Sequence, residues 1–174
     1  MKINYRGFTL IELLVVTALI GILTATSVII FVTQLRNQNK TTIGNEIRQN
    51  GNLVIERFER EVRAASNVTG GGASVDYRKG TQNYRFGCTV WTSGTSNGGV
   101  YIQQLPAGPV QYLTNQDTKT GASVSLCTFS VDITTTPQRV GINITLVQGA
   151  SLPDRPEFKS DQQFKTTVVT RDYQ

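Results

Sequence analysis

Histidine is absent from all 174 residues. That removes the commonest general base and the commonest metal ligand together, and it counts against a Ser-His-Asp or Cys-His enzyme and against most zinc sites. Cysteine is scarce: Cys88 and Cys127 stand far apart, whereas a zinc site needs more ligands in closer clusters. If this part of the chain is exported, one disulfide between them is the natural pairing, and two buried free thiols are the alternative. Charge of one sign is in short surplus as well, with 17 Lys+Arg against 12 Asp+Glu for a net +5. Setting aside Lys2 and Arg6 leaves 15 − 12 = +3, and no basic stripe marks a nucleic-acid face. Hydrophobic residues reach only 39%, and many of them fall in the first 35 positions. The remainder is rich in Thr, Ser, Asn, Gln and Gly, a composition suited to exposed β-structure and loops. No internal repeat of about 20 to 50 residues is visible. "TGGGAS" (69–74) lacks the following Lys-Ser/Thr of a phosphate loop. These absences together imply no catalytic residues, no cofactor and no metal.

Charge is also missing between Glu12 and Arg36. The intervening "LLVVTALIGILTATSVIIFVTQL" (13–35) is long enough to cross a bilayer core as a helix. Its Thr and Ser residues are tolerable there because their hydroxyls bond back to the helix backbone. Three readings compete. A cleaved secretory signal has a basic start and an apolar core, but this core is too long and no small-residue cut site follows it. A plain membrane anchor explains the length and leaves Glu12 unexplained. A carboxylate in an apolar helix costs about 2.5 kcal/mol or more at the bilayer centre, less near the interface, and is a functional suspect. The third reading is a signal cut just before the apolar run.

Gly7, Phe8, Thr9, Leu10, Ile11, Glu12, Leu13 and Leu14, preceded by Lys2 and Arg6, carry that third reading. In these residues the chain resembles the type IV pilin and pseudopilin family. The resemblance implies cleavage between Gly7 and Phe8 by a prepilin peptidase, N-methylation of the new Phe8 amine, and retention of the apolar segment as anchor and filament core. Cleavage would create a cation at the head of an apolar helix. A buried charge is costly unless paired, and Glu12 lies one helical turn away on the same face. By resemblance, Glu12 of one subunit pairs chiefly with Phe8 of its neighbour and sets axial register. The flanking charges do not fix orientation, because Lys2 and Arg6 stand on one side and Arg36 and Lys40 on the other. The resemblance implies an inner-membrane protein with its N-terminus inside and its C-terminal part outside, later found in a surface or periplasmic filament. Many major pilins carry a proline part-way along this helix; Ile29 stands at the matching place here. That departure favours a minor subunit.

Beyond the apolar run, Ile43, Ile47, Val54, Phe58, Val62 and Ala65 recur at helical spacing, with Gly51 filling one step. This predicts an amphipathic helix whose apolar stripe packs under a sheet, with a surface coiled coil as the alternative. Gly44 and Gly51 weaken it by up to about 1 kcal/mol each relative to Ala. "NGNLVIERFEREVRAASNV" and the closing "FKTTVVTRDYQ" are similar to minor pilins and to J-type and W-type minor pseudopilins.

From Val75 the period changes to two. "NYRFGCTVWT", "VYIQQL", "VQYLTN", "SVSLCTFSVDITTT", "RVGINITLVQG" and "FKTTVVTRDY" read as strands separated by Gly, Pro, Asn and Asp clusters, which argues for an antiparallel sheet. The expected class is α+β. The expected division is a leader at 1–7, a transmembrane and filament-core helix at 8–35, an amphipathic helix at 36–68 and a β-rich domain at 69–174. Trp91 and Tyr101 read as core packing before contact residues. Glu59 and Glu61 sit on different helix faces and do not suit a shared catalytic site.

The functional expectation is a structural minor subunit of a type IV pilus or a type II secretion-like pseudopilus. Its partners would be other pilins or pseudopilins, the peptidase and methylase, and the membrane. A tip adhesin or DNA-binding subunit of a DNA-uptake filament, touching DNA or a surface ligand, is the alternative. A membrane-tethered enzyme is the other class weighed, and nothing in the motifs favours it.

Overall fold

The computed structural model describes residues 7–92 and 94–171. Lys2 and Arg6 of the basic leader, and the last three residues of the closing segment, lie outside them. The chain falls into two compact units, one ending at Asn39 and one beginning at Lys40. Helix α1 covers Leu10–Arg63. Among the described residues eight strands follow: β1 Asn67–Gly71, β2 Ser74–Lys79, β3 Gln82–Thr89, β4 Gly99–Gln104, β5 Val110–Tyr112, β6 Ala122–Asp132, β7 Arg139–Gln148 and β8 Asp161–Val169. The protein is α+β, with its strands in two antiparallel sheets rather than one. The first has the order β1-β2-β3-β4-β5 and the second β6-β7-β8.

In the first unit every apolar side chain from Phe8 to Leu35 that is large enough to matter stands exposed. The hydroxyls of Thr24, Thr33 and Ser27 donate to the carbonyls of Ile20, Ile29 and Leu23 at 2.8–2.9 Å. Thr17 and Thr26 bond back in the same way. The helix therefore satisfies these five hydroxyls itself and offers an apolar exterior, which is what a hydrocarbon environment requires.

In the second unit the 3.6-residue stripe does what its spacing dictates. Ile47, Val54, Phe58 and Val62 are wholly buried, and Gly51 and Asn50 lie on the same face. Each large side chain so buried contributes about 1.5–3 kcal/mol. Phe58 is the centre of the core: its ring meets Phe86 of β3 edge-on at 5.4 Å and Phe129 of β6 at 6.0 Å. One helical residue thus touches both sheets. On β7, Val140, Ile142, Ile144 and Leu146 alternate inward as period two requires.

Several features join the sheets. Cys88 of β3 and Cys127 of β6 form a disulfide. Gly72 and Phe129 exchange two backbone hydrogen bonds, at 3.0 and 2.7 Å. The N–H of Trp91 donates to Val124 O at 2.7 Å, and that of Val124 to Gly98 O.

Two boundaries differ from those read in the sequence. The helix ends at Arg63, short of Val68, and "NVTGG" is a strand. Val68 is claimed by the sheet: it pairs with Tyr77, and the Gln138 side chain accepts from its N–H at 2.9 Å and donates to its carbonyl at 3.2 Å. The glycine run then makes a turn into β2, with Gly70 and Gly72 at φ values of 100° and 73° that other residues rarely adopt. Gly51 also has a meaning beyond weakening the helix. A Cβ there would overlap the ring of Phe164, so the missing side chain is what lets β8 lay an aromatic on α1.

Candidate functional site

At the head of α1, Thr9 stands at the N-cap and Glu12 at the third helical position. The N–H of Glu12 donates to Thr9 Oγ1 at 3.3 Å, while the N–H and hydroxyl of Thr9 both approach Glu12 Oε2 at 3.4 Å. This is a reciprocal capping box, which satisfies otherwise orphaned donors of the first turn. A carboxylate there also complements the helix dipole. The Thr-x-x-Glu spacing is that of a capping box, and it gives Glu12 a local role besides charge pairing.

Gly7 and Phe8 precede the helix, and among the described residues nothing lies within 4 Å of a Cβ added at Gly7. Phe8, Leu10, Ile11, Leu13 and Leu14 are all more than half exposed, Phe8 at 77%. Gly7 and Phe8, both exposed among the described residues, thus stand directly before a capped apolar helix. The N-terminal part of α1 is long and apolar enough to cross a membrane.

Residues 2–28 match the family described as Prokaryotic N-terminal methylation motif. The segment is a type IV pilin-like prepilin signal. No curated protein and no solved structure matches the chain. With the exposed apolar helix behind it, the prepilin signal indicates membrane anchoring. It covers Gly7, Phe8 and Glu12 and stops well short of the second unit.

That unit has its own buried charge. Glu61 is 3% exposed, and its carboxylate meets Arg57 and Lys79 at 3.1 Å each and accepts from the Tyr77 hydroxyl at 3.2 Å. Burial, and then the neighbouring Glu61 charge, hold the Tyr77 hydroxyl above its ordinary range. Glu59 turns elsewhere, accepting from Thr166 of β8 at 3.1 Å. The two acids do not converge. Among the described residues no three of His, Cys, Asp and Glu cluster as metal ligands. A second polar join ties α1 to the loop after β5, where Asn50 Oδ1 accepts from the Asn115 N–H at 2.7 Å and Glu46 accepts from the Asn115 side chain at 3.1 Å. Trp91 is half-buried, and Tyr101 packs edge-on to Tyr112 at 6.1 Å.

Proposed function

We propose that this protein is a minor structural subunit of a type IV pilus or a type II secretion-like pseudopilus. It is made as a prepilin, cut after Gly7, methylated on Phe8 and assembled through its N-terminal helix. The observation that carries this reading is the prepilin signal set at the head of a helix whose apolar side chains stand exposed among the described residues. An uncovered apolar surface of that length needs lipid before assembly and other helices after it. Glu12 serves twice. It caps its own helix, and after cleavage its carboxylate lies one turn from the Phe8 amine for pairing within the filament. Ile29 in place of a helix proline supports a minor rather than a filament-building role. In this reading the N-terminus faces the cytoplasm, the second unit lies outside, and the chain performs no catalysis.

Gly7 offers a clean test because a Cβ added there meets nothing within 4 Å among the described residues. Co-expressed with a prepilin peptidase, the native chain is expected to lose its leader, and Gly7→Val is expected to retain it while folding normally. Equal trimming of both chains, or of neither, would count against the reading.

A further inference from the structure

The second unit carries a cleft unrelated to the prepilin signal. It has a volume of about 380 Å³ and is walled by the end of β3, the following loop, Tyr112 of β5 and Gln116. That volume falls within the range of small-ligand sites, roughly 300–1,000 Å³. Its lining has an unusual chemistry for a basic protein: among the described lining residues there is no Lys, Arg, Asp or Glu. In their place stand two aromatic rings, Trp91 and Tyr112, with the hydroxyls of Thr92 and Ser96 and the amide of Gln116.

The aromatic walls are held in place by their neighbours. The indole N–H of Trp91 donates to Gly94 O at 3.3 Å, and the Trp91 backbone is tied to β6. The Tyr112 ring lies over Gly99, where an added Cβ would come within 2.8 Å of it, and is buttressed by Tyr101. Tyr112 remains 46% exposed. The Gln116 amide nitrogen donates to Thr114 O and Oγ1 at 3.2 and 3.0 Å, which fixes the group and leaves its oxygen as an acceptor. The rim is braced by Asn97, which donates to Asp117 O at 2.9 Å and accepts from the Ala150 N–H at 2.8 Å. Ordered rings and a fixed amide lower the entropy lost on binding.

The geometry points to a binding site for a neutral saccharide. A pyranose presents an apolar C–H face that fits an aromatic ring and a rim of hydroxyls that both donate and accept. Trp91 and Tyr112 supply the first complement, and Gln116, Thr92 and Ser96 the second. The lack of charge disfavours phosphate-bearing ligands, nucleic acid included, which draw their affinity from Lys and Arg. The inference stands on the cleft alone and goes beyond the filament reading.

Trp91 is the only tryptophan in the chain, so its emission reports on this cleft directly. The experiment titrates the full chain, in a detergent without a sugar headgroup, with chitotetraose, cellotetraose and maltotetraose, and separately with decaproline. At least one tetrasaccharide is expected to give a saturable change with a midpoint of about 1 mM or below. The midpoint should hold between low and high salt, since no charge is involved. Tyr112→Ala and Gln116→Ala, each with an unaltered unfolding midpoint, should weaken binding by about tenfold. No saturable response to any of the three sugars, equal response in both variants, or a response to decaproline instead would overturn the assignment. None of these results bears on the mature N-terminus.

Discussion

Gly51→Ala should destabilise this protein although it improves the helix, and its sign should reverse when Phe164 is removed. In the interior of α1 the exchange is worth up to about 1 kcal/mol in favour of Ala. Against that stands the Phe164 ring of β8, whose tip occupies the space an alanine Cβ would need. Relieving the overlap moves the ring or separates β8 from the helix, and overpacking of this kind costs about 1–3 kcal/mol. Phe164 is half-buried, so some of its ring contact would be lost as well. The expected net effect is a loss of about 1 kcal/mol or more, against a gain of up to about 1 kcal/mol in a Phe164→Ala background. Urea unfolding followed by Trp91 emission in micelles resolves this, since 1 kcal/mol corresponds to a midpoint shift of about half a molar at ordinary slopes. If Gly51→Ala raises the midpoint equally in both backgrounds, the close approach of Phe164 to α1 is not what this glycine is for.

Three further outcomes follow from the same structure. Replacing Cys88 and Cys127 together with Ala opens a loop of sequence separation 39 and should cost up to about 4 kcal/mol on the loop-entropy account; a midpoint unmoved by the double variant or by reductant would contradict this. Because burial and Glu61 raise the folded-state pKa of Tyr77, its contribution to stability is present below the unfolded-state pKa of about 10 and is lost as pH rises above it. Unfolding midpoints should therefore fall through the alkaline range, and Tyr77→Phe should flatten that fall; an identical alkaline profile in the variant would refute the linkage. Glu12→Gln preserves an acceptor for the Thr9 cap and removes the charge, whereas Glu12→Ala removes both. If the charge sets register, both variants should fail to enter sheared filaments; assembly restored by Gln but not Ala would reduce Glu12 to a cap.

The parts of the fold that depend on local period were readable in advance. Ile47, Val54, Phe58 and Val62, and Val140 to Leu146 on β7, face inward as their spacings require. What period cannot supply is the identity of the element across the interface. Asn50 and Glu61 share the buried stripe, yet each is satisfied by a residue distant in the chain, Asn115 and Tyr77 respectively. The reason for Gly51 lies 113 positions later (164 − 51), in the ring of Phe164. The split into two sheets was not legible either, since it rests on the strand order and on joins such as Gly72 to Phe129. On β6 a register shift between Val124 and Leu126 leaves Leu126 outward, which simple alternation does not foresee. At the prepilin signal the pattern is local: Gly7, Phe8 and Glu12 are close in sequence, and the Thr-x-x-Glu spacing carries the cap from Thr9 to Glu12.

Mass spectrometry of the protein recovered from its own membrane tests the central claim most directly. The account predicts a chain that begins at Phe8 and is one methyl group heavier than its sequence requires. A chain that keeps Met1 to Gly7, or one cut near Ser27 with the apolar helix removed, would contradict it.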